Sequence, residues 1–214
     1  MEANHMKKLT SFLLCGAMVL ALAGCGSKPT EAPSSSEAPA TSEAPSSEES
    51  TAPAAPDNSG DEFVSDYKAF AVTTNSLTDG FWNEITANTV AGQNLSPDLS
   101  WEPVEGASCY AIYMVDLNTH YFLHWVQGDI TETTLSQGYA GTKYYMGMYP
   151  PPGDTHVYNI YVFALKNPVT KVKGTANTIS AKLPDFMKEL DTDKDGNTGN
   201  IIAVGKVSGK FTGK

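Results

Sequence analysis

The chain has 214 residues, a formal net charge of -10 at pH 7 and no arginine. A nucleic-acid binder needs a basic face, and an acidic chain gains nothing electrostatically from an anionic lipid surface, so charge supports neither partner. The length fits one domain or at most two.

The N-terminal stretch "MKKLTSFLLCGAMVLALAGC" has two lysines, then about 13 mostly apolar residues, then small ones. This composition predicts a secretory signal peptide over 1–24, too short to be a spanning helix. The segment "LAGC", Leu22 to Cys25, resembles the lipobox of bacterial lipoproteins. There the cysteine becomes the lipidated first residue after cleavage. The expectation is a lipid anchor on Cys25, holding the protein to the cell membrane on its extracytoplasmic side. Stable anchoring needs at least two acyl-type signals, and bacterial lipoproteins carry several chains. Cys15 would leave with the signal, so Cys109 is the free thiol of the mature chain and no intramolecular disulfide forms. Cys109 lies in the apolar run "CYAIYMV", which suits a buried, inert thiol and not a nucleophile.

Residues 25–60 are rich in Ser, Ala, Pro and Glu. From Gly26 to Gly60 there is no aromatic or large aliphatic side chain, so the segment cannot bury enough apolar surface to offset the entropy of ordering. As a flexible coil of about 35 residues it spans roughly 30–35 Å, enough to hold a domain clear of a bilayer.

The globular domain is expected over 61–214. Strand-like runs follow one another: "YKAFAVTT", "CYAIYMVDL", "FLHWVQGDI", "HVYNIYVFAL" and "GKVSGKFTG". Turn signals such as "TDG", "PVEG" and "PPPGD" separate some of them. A helix is predicted at "SAKLPDFMKEL" and a second, short one at "GNIIAV". The pattern is mainly β, a sandwich or related two-sheet fold with minor helix.

In an extended strand, side chains two apart share a face. His156, Tyr158, Ile160, Val162 and Ala164 therefore project one way, with the two polar rings at the strand's mouth. The loop Pro150-Pro151-Pro152-Gly153 precedes them; proline fixes φ and glycine permits unusual backbone angles, so the loop is pre-organised to meet a ligand. "AIYMVDLN" is an apolar run ending on Asp116, and "FLHWVQGD" embeds His124 among large apolar residues. Taken singly, His124 fits a core histidine and Asp116 a turn residue; taken together they suggest a small pocket at the sheet edge.

The blocks "QNLSPDLSW", "VDLNTHYFLHWV", "GTKYYMGMYPPPGDTHVYNIYVFAL" and "GKVSGKFTG" resemble, in order and over roughly 63–213, the phosphatidylethanolamine-binding protein family. The likeness is nearest to its bacterial, Raf-kinase-inhibitor-like branch. The resemblance implies a large antiparallel sheet packed on a smaller sheet, with a few helices toward the C-terminus. It also implies a small pocket for phosphate-like head groups. Carried over residue by residue, the ligand-binding positions are Asp116, His124, Gly147, Pro150, Pro151, His156 and Tyr158. Ser96, Pro97 and Trp101 match a motif read as structural. The family's "DPD" is "DLN" here, with Leu117 for proline and Asn118 for the second acid, and "GPCPP" reads "GMYPP".

A phosphate-like anion needs donors in a dry, rigid cup. The two histidines and the Tyr158 hydroxyl supply them, and Asp116 either orients a histidine or receives an ammonium group. Competing readings are a zinc site from Asp116, His120, His124 and His156, and a weak calcium site at Asp191, Asp193 and Asp195. The second begins like an EF-hand loop but has Ile202 where a bidentate glutamate belongs. There is no nucleophile elbow, phosphate loop or Cys-His pair, so a binding protein without a cofactor is expected in place of an enzyme. The alternative function is a protein-interaction module that inhibits a secreted protease or another partner.

Overall fold

The computed structural model describes residues 56–214. The segment 1–24 expected to be a signal peptide, Cys25 and the expected linker up to residue 55 lie outside the described residues. In chain order the elements are β1 (Ala69–Phe70), β2 (Val72–Thr73), β3 (Leu77–Thr78), β4 (Phe81–Trp82), β5 (Leu99–Trp101), β6 (Cys109–Asp116), β7 (Phe122–Ile130), β8 (Thr134–Leu135), α1 (Gly141–Tyr144), β9 (Thr155–Leu165), β10 (Thr178–Ile179), α2 (Leu183–Glu189) and β11 (Ile201–Thr212).

The four long strands are the long apolar runs of the sequence. They form the middle of an eight-stranded sheet ordered β10-β7-β6-β9-β11-β4-β3, with β1 also on β11. Every residue of β6 is buried, and β9 is buried from Tyr158 to Leu165. A strand covered on both faces reads as continuous apolar sequence, which is what "CYAIYMV" and "IYVFAL" show. The second sheet is small and antiparallel, ordered β2-β5-β8.

The large sheet was expected to be antiparallel, and its centre is. At its edge it is mixed, because β1 and β4 both run parallel to β11, at Val204–Gly205 and at Lys210. Parallel pairs need long connections; here most of the domain separates the paired segments. The run "YKAFAVTT" is likewise not one strand. It splits into β1 in the large sheet and β2 in the small one.

One core fills the space between the sheets, where Ile112, Met114, Ile160 and Val162 meet Leu99, Trp101 and Leu135. The other lies on the opposite face of the large sheet, where Tyr113, Val115 and Phe163 are covered by Leu183, Met187 and Leu190 of the α2 region and by Val64. Cys109 belongs to this second core, and burial pushes its thiol pKa up. Burying a large apolar side chain is worth roughly 1.5–3 kcal/mol, so these two layers supply most of the drive to fold. The N-terminal strap joins the fold before the boundary expected at 61. Asn58 is buried and donates to the carbonyls of Val204 and Tyr67.

The helix predicted at "SAKLPDFMKEL" is α2, with Pro184 in its first turn, where a missing N–H costs nothing. The helix expected at "GNIIAV" does not form. Ile201 opens β11, which pairs antiparallel with β9 along its whole length. The β-branched Ile201 and Ile202 suit a strand, and Asp191 accepts the Ile201 N–H, fixing where it starts.

Candidate functional site

The site forms where the outer ends of β6, β7 and β9 meet two loops. Asp116 ends β6 and pairs across the sheet with Tyr158 of β9. Each of its carboxylate oxygens accepts one hydrogen bond from the protein. Oδ2 accepts Nδ1–H of His156 at 2.7 Å, and Oδ1 accepts the backbone N–H of Asn118 at 2.8 Å. Asn118, the residue in place of a second acid, accepts the Val157 N–H through its own side-chain oxygen. Asp116 therefore acts as an orienter: it fixes the His156 ring and the turn after β6. His156 in turn lies nearly parallel to the Tyr158 ring, 27° between planes.

His124 reaches the site through a bulge. Met114 pairs with Trp125 and Val115 with Leu123, so His124 has no partner across the ladder. An extra residue of this kind re-aims a side chain. Leu123 and Val126 stay in the outer core while Trp125 packs in the inner one, and the His124 ring meets the edge of Tyr158, 5.1 Å between centroids. Both ends of His124 grip one loop residue: its carbonyl accepts the Met146 N–H at 2.8 Å, and its Nδ1–H donates to the Met146 carbonyl at 2.7 Å. A carbonyl only accepts, so the tautomer is set, and neutral His124 carries a bare lone pair on Nε2. Burial pushes its pKa down to about 4, against the opposing pull of the Met146 carbonyl and Asp116. At neutral pH the ring is uncharged.

The proline loop forms the remaining wall. Pro150 is buried; Pro151 is exposed. The loop is pinned by the end of the chain, because Gly213 approaches it so closely that a Cβ there would stand 2.2 Å from the Pro151 carbonyl oxygen. Gly147 has the same need for space: a Cβ on it would lie 2.5 Å from the Thr86 carbonyl oxygen. Its N–H donates to the Asn94 side chain.

The result is a cleft of about 220 Å³ lined by Asp116, Thr119, Phe122, His124, Tyr149, Pro150, Pro151, His156 and Tyr158. Six of the seven residues expected to bind a ligand thus stand around one cavity. Gly147 is not among the lining residues; it lets the loop that carries Met146 pack closely against Thr86 and Asn88. Thr119, Phe122 and Tyr149 were not foreseen. Phe122 lies two residues before His124 on the same strand, so strand alternation could have found it. Tyr149 adjoins the prolines. Thr119 sits in a turn whose sequence gives no such signal.

Five buried side-chain polar atoms have no partner among the described residues, and two of them, Thr119 Oγ1 and Tyr158 OH, line this cleft. Buried polar groups are nearly always paired, so two unpaired hydroxyls in one small cavity are unusual. Burial and the Asp116 carboxylate, which lies near the Tyr158 hydroxyl but outside normal hydrogen-bond geometry, raise the pKa of Tyr158 and keep its hydroxyl a neutral donor.

The other candidate sites separate. His120 is exposed, with φ of 50°, and is not among the residues lining the cleft. Among the described residues, no group of three or more His, Cys, Asp or Glu is placed to hold a metal ion. In the EF-hand-like segment, Asp191 accepts the N–H groups of Gly199 and Ile201, and Asp195 pairs with Lys194. Asp193 is buried and accepts from Asp195, Asn197 and Asn167. The three carboxylates are engaged by the loop's own backbone and side chains and by Asn167 from the segment after β9.

Comparison with known proteins agrees with the fold. No curated protein matches the chain. The crystal structure of YbcL from E. coli, described as a new member of the mammalian PEBP family, is 23% identical and superposes with a TM-score of 0.52. It covers 68% of this chain and 99% of its own. A phosphatidylethanolamine-binding protein homologue, CT736 from Chlamydia trachomatis, is 18% identical with a TM-score of 0.49, covering 69% of this chain and 99% of its own. The family model described as phosphatidylethanolamine-binding protein matches residues 73–202, more than half of the sequence. The chain belongs to the phosphatidylethanolamine-binding protein family.

Proposed function

We propose that this protein is an extracytoplasmic lipoprotein of the bacterial, Raf-kinase-inhibitor-like branch, whose domain binds a small phosphate-like anion in the cleft and performs no chemistry on it. One observation carries the reading: two buried hydroxyls, Tyr158 OH and Thr119 Oγ1, stand unpaired in a cavity that also holds His124 and His156. An anion with several acceptor oxygens is the ligand that satisfies them. Asp116 holds the His156 ring in place, as carboxylates commonly orient functional histidines. The apolar remainder of the wall, Phe122, Tyr149 and the prolines, excludes water and strengthens each polar contact. The cleft is small for a whole lipid but large enough for a head group or a free anion. Cys25 and the Ser/Pro-rich linker support a tethered location.

Calorimetric titration of the purified full-length protein with phosphate, phosphoethanolamine and acetate tests the binding claim. Saturable binding of the phosphorylated ligands, lost in His156→Ala, is expected. A folded protein that binds none of the three contradicts it. Radiolabelled fatty acid incorporated into the wild type and absent from Cys25→Ala tests the anchor.

A further inference from the structure

The hydrogen-bond inventory of the cleft limits the protonation state of its ligand. Both histidines commit Nδ1–H to the protein, His124 to the Met146 carbonyl and His156 to the Asp116 carboxylate. In their neutral forms each is left with a lone pair on Nε2, an acceptor and not a donor. The unpaired hydroxyls of Tyr158 and Thr119 are donors. The cleft thus offers donors and acceptors together. It contains no fixed cation: no lysine lines it, and the chain has no arginine. The charged group present is Asp116 from β6. The other titratable groups around the two imidazoles are Tyr158 from β9 and, from the preceding loop, Tyr149, with Tyr145 behind them; burial raises the pKa of all three tyrosines.

A phosphate dianion fits this inventory badly. Against the neutral imidazoles it brings only acceptors toward two acceptor nitrogens and a carboxylate, with no lysine or arginine lining the cleft to balance its charge. A monoanion with one P–OH fits well. Its oxygens take the two hydroxyl donors, and its own proton meets an Nε2 lone pair. A phosphodiester, as in an intact phospholipid, has no such proton.

We propose that the cleft binds a phosphate monoester, or free phosphate, together with one proton held between a ligand oxygen and an uncommitted imidazole Nε2. This rests on the reading of the cleft as an anion site. Monoesters lose their second proton with a pKa of about 6. Above that pH the bound complex takes a proton from solvent, and affinity falls as the monoanion is depleted; below it the ligand already carries the proton.

Calorimetric titration of the full-length protein with methyl phosphate, dimethyl phosphate and methyl sulfate, at pH 6 and pH 8 in buffers of different ionisation enthalpy, tests this. At pH 6 methyl phosphate should bind at least about tenfold more tightly than the two ligands that cannot carry the proton. From pH 6 to pH 8 its affinity should fall about fiftyfold, with about one proton taken up per ligand bound at pH 8. Dimethyl phosphate should show little change. Equal affinities for methyl and dimethyl phosphate at pH 6, or methyl phosphate binding that is flat with pH and takes up no proton, overturn the proposal while leaving an anion site standing. Binding of none of the three at either pH overturns the anion site itself.

Discussion

The loop around Asp193 and the cleft around Tyr158 both remove polar atoms from water, and they treat those atoms in opposite ways. Asp193 accepts from Asn167, Asp195 and Asn197, and neighbouring Asn200 donates to the carbonyls of Asn167 and Leu190 while accepting the Asn167 N–H. Every one of these groups has a partner within the loop or in the segment after β9 that packs on it. In the cleft, Asp116 and the two Nδ1–H groups are matched with the same care, yet two hydroxyls beside them are left over. A closed inventory marks a structural knot; the open one beside the cleft is what the proposed anion would close. The acidic loop was a weak cation candidate in the sequence, and in the structure Asp191 and Asp193 accept hydrogen bonds from the protein.

The largest effect that sharpens this contrast is the acid sensitivity of His124. Its pKa stands at about 4 in the folded protein and near 6.5 when exposed. The unfolded state therefore binds more protons between those values. The stability this neutral ring preserves is complete above about pH 6.5 and is lost as pH falls toward 4, amounting to about 3 kcal/mol. Urea denaturation at pH 7 and pH 4 should show that share of the loss in the wild type and not in His124→Gln. The same pH dependence in both would contradict the assignment.

Next comes the closed knot. Asn200→Ala strands two carbonyls and an N–H and should cost about 2–3 kcal/mol of stability, read by denaturation, while phosphate affinity is unchanged. A matching loss of affinity would break the distinction between the two regions.

The long strands were legible because two-sided burial writes itself as unbroken apolar runs, as in Cys109–Asp116 and the inner part of Thr155–Leu165. The two-residue strands were not, since pairing at β1, β2 and β4 is decided by distant partners and leaves no local pattern. The misread helix at "GNIIAV" has the same cause: six residues carry too little periodicity to outweigh an eleven-residue partner strand. In the cleft, residues on strands were legible from alternation and resemblance. The bulge that turns His124 inward, the use of Gly147 for close packing and the unpaired Thr119 depend on contacts far apart in sequence.

The open region gives the smaller stability effects and the larger effects on binding. Tyr158→Phe removes a buried hydroxyl that has no partner, so stability should hold or rise by up to about 1 kcal/mol. Phosphoethanolamine affinity should nevertheless fall about tenfold, near 1.4 kcal/mol. A melting curve and a titration on the same sample check both halves. Thr119→Val, similar in shape, should repeat the pattern more weakly, with affinity down roughly threefold to fivefold.

The most direct test combines the two hydroxyls. Phosphoethanolamine is titrated into the wild type and into Tyr158→Phe/Thr119→Val, with thermal midpoints measured on both. The account predicts saturable binding to the wild type, a loss of at least about tenfold in the double variant, and a midpoint that does not fall. Equal affinities in the two proteins, or a double variant that loses stability as if it had lost internal hydrogen bonds, would contradict the claim that these hydroxyls are held for a ligand.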